Sequence, residues 1–331
     1  MKKLIIGFLF ITAATAAQPQ FSSINSMAGA FSRMGFGARG MGMGNGISAV
    51  KEGNLVSYYN PALSVFQEGN SFQTSYSILS LDRSLNFVNF TRKFEMGSTE
   101  MPDGTKKSRS TAGISAGLIN AGVSGIEARD SQGKKYNELS TSENLFFVSL
   151  ANKFSEKLAI GIAFKFYYYK LYEEVTSSGL GFDIGAIYSF NNALSFSLVL
   201  SDINSKYEWD TGGLYGQNGL KTTNKFPLLK KFGAAYKFAE QKLVIAAEIE
   251  SSNAQSNYLK AGAEYNIFDG LFVRSGFDKL NLSNSDIPVR PSFGFSYFYT
   301  LNSLMIGIDY AFVIEPYSSS DQHIVGININ F

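Results

Sequence analysis

The last eleven residues of the chain, 321–331, read DQHIVGININF, and this stretch decides the fold. Successive side chains of an extended strand point to opposite faces, so every second residue shares a face. One face is then apolar and the other is small or polar: Val325, Ile327, Ile329 and Phe331 against Gly326, Asn328 and Asn330. An apolar face suits lipid and a polar face suits water. The pattern therefore predicts a strand of a transmembrane β-barrel, with Phe331 as the terminal aromatic that such barrels present to the barrel assembly machinery.

The same alternation recurs along the chain and predicts an all-β, antiparallel transmembrane barrel of about fourteen strands. Most of these segments match the ~9–11 residues that a tilted strand needs to cross a bilayer. An even number is typical of bacterial single-chain barrels. The predicted strands are 71–80, 84–94, 110–122, 143–154, 157–171, 178–190, 193–203, 229–239, 242–251, 257–266, 270–278, 290–299, 303–313 and 321–331.

Loop lengths orient the predicted strands. Tight connections such as 191–192 join an even strand to the next odd one, and short turns belong on the periplasmic side of such barrels. Both termini are therefore expected to be periplasmic. The longer, polar connections are expected to be extracellular, and these are 123–142, 204–228 and 279–289. The segment 95–109 is an exception, because it reads as a long charged loop on the periplasmic side.

The N-terminus has the order of a secretory signal peptide. Lys2 and Lys3 precede an apolar run that ends near residue 14, and small residues follow. The run is shorter than the ~20 residues of a spanning helix, so we expect cleavage after Ala16 or Ala17 rather than a membrane anchor. The predicted organisation is a signal peptide at 1–17, a glycine-rich plug segment at 18–70 and an outer-membrane barrel at 71–331.

Composition excludes several classes of protein. Hydrophobic residues make up 45% and aromatic residues 15%, which is too many for a disordered chain. The net charge of +2 gives no reason to expect nucleic acid. With no cysteine and one histidine, His323, neither a metal site nor a cofactor is expected. A Ser-His-acid enzyme would have to use His323, whose parity is outward, and Glu248 with Glu250 reads more simply as ion pairing. We therefore expect no enzyme.

Alternation along the strands sends most of their charged residues into the barrel interior. The predicted lumen charges are Lys165, Asp183, Lys237, Glu248, Lys260, Glu264, Arg274 and Asp309, with Glu250 beside them. A charge at lipid mid-depth costs about 2–4 kcal/mol, which is enough to explain the segregation as simple ion pairing. The alternative is a polar site that holds a plug or the headgroup of a ligand. The sequence leaves both interpretations open.

Residues 21–66 do not read as barrel strand. Gly35, Gly37 and Gly40 match G-x-G-x-x-G, but no strand precedes them and no βαβ unit surrounds them, so a dinucleotide site is excluded. Closely spaced glycines let the backbone approach its packing partners. A fourteen-stranded barrel is too wide for its wall side chains to fill, so this segment is predicted to plug the lumen. Arg39 is expected either to pair with Glu248, Glu264 or Asp309, or to lie solvated at the periplasmic mouth.

Two stretches carry a family resemblance. The run 37–44 (GARGMGMG) followed by 59–62 (YNPA) resembles the front of the PorV/PorQ proteins, which are relatives of the FadL outer-membrane transporters. The end of the chain, 308–312 (IDYAF) with His323 and Phe331, is similar to the close of the same group. The plug-motif residues identified in this way are Arg39, Gly40, Gly42, Gly44, Asn60 and Pro61.

The resemblance implies two possible functions. PorV/PorQ-type members act with the type IX secretion system and bind or shuttle exported protein. FadL-like members instead carry long-chain fatty acids or other hydrophobic small molecules across the outer membrane. For a secretion role, the 204–228 loop with Tyr207, Trp209 and Tyr215 is the candidate partner surface. Expected partners are outer-membrane lipid, the barrel assembly machinery, and either secreted cargo with other secretion components or a hydrophobic ligand.

Overall fold

The computed structural model describes residues 23–81, 83–100 and 106–331, so the predicted signal peptide at 1–17 lies outside the described residues. Within these residues, fourteen antiparallel strands close into a barrel, and two more form a separate hairpin. The strands are β1 (Asn70–Ile78), β2 (Ser84–Glu100), β3 (Lys106–Arg129), β4 (Lys135–Lys153), β5 (Leu158–Tyr172), β6 (Val175–Ser189), β7 (Leu194–Ile203), β8 (Lys206–Asp210), β9 (Lys221–Lys225), β10 (Leu229–Phe238), β11 (Leu243–Ser252), β12 (Asn257–Phe268), β13 (Leu271–Asn281), β14 (Arg290–Leu301), β15 (Leu304–Val313) and β16 (Gln322–Asn330).

Each barrel strand pairs with its neighbours in sequence, and two pairings complete the circle. β7 pairs with β10, because β8 and β9 form the separate hairpin between them. β16 pairs with β1, where Val325 lies opposite Tyr76. The prediction of a fourteen-stranded transmembrane antiparallel barrel is confirmed.

The two faces of the wall follow the predicted alternation. In β16, Val325 and Ile327 are each 46% exposed, while the flanking residues Ile324 and Asn328 are buried. β5 repeats the pattern, with Phe164 exposed on the outside and Lys165 buried on the inside. The outer face of the barrel is therefore an apolar surface that suits a bilayer, and the inner face is largely polar. No helix among the described residues is long and apolar enough to cross a membrane.

The two rims of the barrel differ in the length of their connections. At one rim, called here the short-turn end, the described connections between strands have two to four residues. The other, the long-loop end, carries the connections 204–228, 282–289 and 314–321. Phe331 lies at the short-turn end, where its backbone exchanges two hydrogen bonds with Asn70 and its side chain is exposed.

Three predicted loops are corrected by the structure. Segment 95–109 is not a loop throughout, because β2 and β3 extend past the rim and pair as far as Glu100 with Lys106. Segment 123–142 likewise continues β3 and β4, which pair as far as Arg129 with Lys135. Segment 204–228 contains the β8–β9 hairpin. The two strand extensions lie beyond the apolar belt, where no lipid-facing alternation marks a strand in the sequence, and the β8–β9 hairpin is separate from the barrel wall.

Two β-bulges reverse the facing of charged residues. In β7, the pairing with β6 shifts between Phe182 and Ile184, and Asp202 adopts φ 62°. In β13, the pairing with β12 shifts beside Leu259, and Lys279 adopts φ 58°. An extra residue in one strand turns the side chains that follow it toward the opposite face. Both charges are thereby brought into the lumen.

Residues 23–66 lie inside the barrel. They contain the α-helix α1 (Gly37–Gly42) and three 3-10 helices, Ser23–Ser26, Ala30–Arg33 and Pro61–Phe66. The largest apolar side chains of this lumenal segment, including Phe36 and Met43, are almost fully buried against the inner wall. The barrel therefore has a packed interior rather than an open channel.

Candidate functional site

The first glycine of the plug motif permits a close contact inside the lumenal segment. A Cβ atom on Gly40 would lie 2.0 Å from the hydroxyl oxygen of Tyr59. That hydroxyl accepts a hydrogen bond from the Phe36 amide and donates one to Asn45 Oδ1 at 2.7 Å. Burial raises the pKa of Tyr59 well above its usual value, so its hydroxyl remains a donor. The contact packs α1 against Tyr59, which lies in the turn before the Pro61–Phe66 helix.

The next two motif glycines meet the wall. Ser292 on β14 links them, since its hydroxyl donates to the Gly42 carbonyl and accepts from the Gly44 amide, both at 3.2 Å. Gly44 has φ 62°, and a Cβ there would lie 2.2 Å from the carbonyl oxygen of Phe277. A larger residue at position 44 would therefore be strained and would also clash with β13.

Asn60 and Pro61 anchor the end of the lumenal segment. The Asn60 side chain caps the Pro61–Phe66 helix by accepting from the Ala62 amide at 3.0 Å. Its amide nitrogen donates to the Ser48 carbonyl at 3.1 Å and to the Ala186 carbonyl of β6 at 3.2 Å. Pro61 stands at the first helical position, where its missing N–H costs nothing. The motif thus ties the segment to the wall before β1 begins.

A buried group of three charges, called here the bridging cluster, joins the lumenal segment to the wall: Arg39, Glu264 and Arg274. Arg39 donates two hydrogen bonds to the Glu264 carboxylate, at 2.9 and 2.7 Å. It also donates to the backbone carbonyls of Glu52 and Asn54. Arg274 donates to the same carboxylate at 2.5 Å. The side chains of Arg39 and Glu264 are only 9% and 7% exposed. Of the partners considered for Arg39, the structure selects Glu264.

A second buried group, called here the wall cluster, joins three neighbouring strands: Lys165 of β5, Asp183 of β6 and Asp202 of β7. The Lys165 ammonium lies 2.7 Å from Asp183 and 3.0 Å from Asp202. Tyr167 donates to Asp202 at 2.6 Å, and the Asp202 amide donates to Asp183 at 2.8 Å. Sequence alternation predicted Lys165 and Asp183 in the lumen but missed Asp202, which reaches it through the β7 bulge.

The other predicted lumen charges also lie inside the wall. Lys260 contacts Glu250 at 2.7 Å and Glu248 at 3.7 Å, and Lys231 makes a second contact to Glu250 at 3.8 Å. Both carboxylates are therefore engaged in ion pairs.

Two predicted lumen charges contact groups outside these clusters. Asp309 accepts a hydrogen bond from Asn328. Lys237, at the short-turn end, lies 4.0 Å from Glu52 of the lumenal segment and is more exposed than the rest. The charges thus form separate clusters rather than one site.

The predicted partner loop is only partly exposed, which corrects the prediction for Tyr207. That side chain is 2% exposed, because the β8–β9 hairpin folds back over the lumen and packs it against Tyr167 and Phe226. Trp209 packs on the same cluster, and Tyr215 alone of the three predicted aromatics is freely exposed. The hairpin therefore covers the lumenal segment on the β5–β7 side, and its aromatics serve packing.

The opposite side of the long-loop end holds a cavity of about 530 Å³, called here the long-loop cavity. Its floor includes Met34 of the lumenal segment, and its walls are formed by residues of β12–β14 and β16 and by the loops that follow β1, β13 and β15. Its apolar lining comprises Leu79, Leu81, Tyr258, Ile287, Pro288 and Tyr317. Its polar lining comprises Arg83, Lys279, Arg290, Glu315, Gln322 and four serines. A concave cavity that combines apolar side chains with convergent polar groups can serve as a small-molecule site.

A second cavity of about 400 Å³ lies at the short-turn end, and is called here the short-turn cavity. Gly53 and Asn54 of the lumenal segment face Phe272, Phe298 and Met305 of the wall across it. The bridging cluster lines its inner part. One cavity thus lies at each end of the barrel, and the lumenal segment lies between the two cavities.

His323 lies on the outer face at the long-loop end, where its Nδ1 is 2.7 Å from the Tyr310 hydroxyl. Among the described residues, no three side chains of the metal-ligating types converge.

The fold is similar to that of solved membrane transporters. No protein-family model matches the chain, and no curated protein sequence does. The toluene transporter TodX of Pseudomonas putida aligns with a TM-score of 0.55 and 15% identity, over 89% of this chain and 96% of TodX. A FadL homologue of Pseudomonas aeruginosa aligns with a TM-score of 0.54 and 11% identity, over 90% of this chain and 98% of the homologue. At these identities the similarity establishes the shared barrel fold.

Proposed function

We propose that the protein is an outer-membrane transporter that takes up a small apolar or amphipathic molecule, with its long-loop end facing outward. The long-loop cavity is the observation that carries this proposal, because it is open to the outside and its floor is the lumenal segment. The shared fold with a toluene transporter and a FadL homologue supports it.

Passage through the barrel requires the lumenal segment to move. The two cavities lie on opposite sides of this segment, and buried apolar side chains of the segment pack against the wall between them. The segment therefore acts as a plug that is released when substrate fills the long-loop cavity.

A disulfide between plug and wall tests the proposal directly. The hydroxyls of Ser48 in the lumenal segment and Ser197 on β7 are 2.8 Å apart, and the natural chain has no cysteine. We expect the rate of octanol or octanoate uptake into proteoliposomes to be about tenfold lower for oxidised Ser48→Cys/Ser197→Cys protein than for the wild type. Reduction of the disulfide should restore the rate.

A wall-only pair is the matched control. Ser252 and Ser256 are 2.7 Å apart at the β11–β12 connection, and neither belongs to the plug. Oxidised Ser252→Cys/Ser256→Cys protein should transport like the wild type. No uptake by wild-type proteoliposomes above protein-free vesicles would refute the transporter proposal, and normal uptake by the locked variant would refute the moving plug.

A secretion role of the PorV/PorQ type is the second candidate. Besides the sequence resemblance, the extended β3–β4 hairpin favours it, because this hairpin carries exposed Ile126 and Tyr136 beyond the barrel. Such a hairpin is a suitable docking surface for exported protein or other type IX components. Replacing residues 124–141 by a short Gly/Ser turn should then abolish surface display of secreted proteins while leaving uptake unchanged. Normal display in that variant would refute the secretion role.

Insertion by the barrel assembly machinery would use the closing strand. The exposed Phe331 ends the outward row of β16, so its deletion is expected to lower the amount of protein in the outer membrane. Replacing the buried, inward-facing Asn328 by Ser is the control, since it leaves the outward row intact. If the protein without Phe331 reached wild-type levels in the outer membrane, a role of Phe331 in insertion would be refuted.

A further inference from the structure

The long-loop cavity is lined by a cation, Lys279, that makes no direct polar contact in the described part of the chain. Among the described residues, the Lys279 ammonium forms no hydrogen bond or ion pair, although it lines the cavity. The adjacent carboxylate, Asp278, is bound by Arg290 at 3.3 Å and by Asn45 at 3.0 Å, both through Oδ2, and its Oδ1 is buried without a hydrogen bond. The β13 bulge, with Lys279 at φ 58°, is what turns this amine into the lumen. A partly buried charge without a counterion is costly unless an anion completes it.

The same cavity also offers an unused acceptor. Gln322 is 5% exposed, and its amide nitrogen donates to Glu315, which fixes the orientation of the side chain. The amide oxygen therefore points away from that carboxylate, and it has no donor. Arg290 Nε is a second buried atom without a partner at this site. Unsatisfied donors and acceptors thus occur together on residues that line one cavity.

We propose that the long-loop cavity binds a small amphipathic hydroxy acid. Its carboxylate pairs with Lys279, its hydroxyl donates to the Gln322 amide oxygen, and its hydrocarbon body packs on Leu79, Leu81 and Ile287. A plain hydrocarbon leaves both polar groups desolvated and unpaired, and an unsubstituted carboxylic acid leaves the Gln322 oxygen unpaired. This inference rests on the proposed function and names the class of substrate.

Binding can be measured without transport. Wild-type protein in lipid nanodiscs is dialysed against radiolabelled 3-hydroxyoctanoate, octanoate or 1-octanol at pH 7, and binding to protein-free nanodiscs is subtracted. We expect 3-hydroxyoctanoate to bind about tenfold more tightly than octanol, and octanoate to fall between them.

Variants assign the effect to the two side chains. Lys279→Met should weaken 3-hydroxyoctanoate binding by about tenfold and leave octanol binding unchanged, whereas Gln322→Met should remove the difference between 3-hydroxyoctanoate and octanoate. Lys237→Met is the matched control, because Lys237 faces the lumen at the opposite end of the barrel. Heat-modifiable gel mobility establishes that each variant is folded.

The outcomes separate this inference from the proposed function. Equal affinity of the wild type for octanol and 3-hydroxyoctanoate, or unchanged binding by Lys279→Met, overturns the hydroxy-acid assignment but leaves a transporter of apolar molecules. Absence of binding by all three compounds shows that the cavity is not a ligand site, and the uptake assay with the plug–wall disulfide then decides the proposed function on its own.

Discussion

The bridging cluster and the wall cluster each consist of one central ion between two ions of the opposite charge, and the signs of the charges are reversed between the two clusters. In the bridging cluster one carboxylate, Glu264, lies between two guanidinium groups. In the wall cluster one ammonium, Lys165, lies between two carboxylates. Both are buried, and each has a central ion whose removal leaves two like charges facing each other.

The difference between them lies in what the remaining charges can do. A guanidinium does not lose its proton in proteins, so two arginines left without a counterion stay charged. Two adjacent carboxyls can share one proton and so reduce their repulsion. The clusters also hold different parts together, because the bridging cluster joins the plug to the wall, whereas the wall cluster joins β5, β6 and β7. Loss of the central ion should therefore have different consequences in each.

The largest effect is expected for Glu264→Gln. It leaves Arg39 and Arg274 buried together without a carboxylate, which should cost about 3–5 kcal/mol in the free energy of unfolding. This loss can be measured by urea unfolding in lipid vesicles, monitored through the fluorescence of the single tryptophan, Trp209. Asp269→Asn is the control, because that carboxylate is fully exposed at the same end. A loss below about 1 kcal/mol would show that the bridging cluster contributes little.

Lys165→Met should have a smaller effect that depends on pH. At pH 7 the unpaired Asp183 and Asp202 should lower the free energy of unfolding by about 2–3 kcal/mol. As the pH falls toward 5, one of the two carboxyls takes up a proton, so the deficit relative to wild type should shrink. The Glu264→Gln deficit should stay constant over this range. Parallel pH profiles for the two variants would contradict the distinction drawn between the clusters, and adding Asp202→Asn to Lys165→Met should restore stability at pH 7.

Strand parity explains how much of these clusters could be predicted from the sequence. A residue on a regular strand faces lipid or lumen according to whether its position is even or odd, and the free-energy cost of a charge in lipid makes that assignment firm. For this reason Lys165, Asp183, Glu264 and Arg274 could be placed in the lumen from the sequence alone. The partner of Arg39 could not be selected, because parity gives no distance between the plug and a given wall position.

The same rule fails where a bulge shifts the register. Regular alternation would send Asp202 and Lys279 to the lipid face, and each reaches the lumen only because its strand contains an extra residue. The pair Asp278 and Lys279 carries a signal of this, since two adjacent charges in a regular strand would force one of them into lipid. The extended hairpins could not be predicted for a different reason. In the β3–β4 extension most side chains on both faces are exposed, so the sequence there shows no apolar period.

The smallest effect is expected for Arg39→Met, and it separates plug attachment from barrel stability. Arg274 still neutralises Glu264 in this variant, so the main loss is that of hydrogen bonds to the Glu52 and Asn54 carbonyls, about 1–2 kcal/mol. The plug should nevertheless be held less tightly in the barrel, because the ion pair of Arg39 with Glu264 joins the plug to the wall. A cysteine at position 48, buried at the contact with β7, reports this as a several-fold faster reaction with a water-soluble maleimide. Arg33→Met is the matched control, since the hydrogen bonds of Arg33 go to carbonyls of its own segment. Equal labelling rates in both variants would mean that packing alone, rather than the bridging cluster, holds the plug in the barrel.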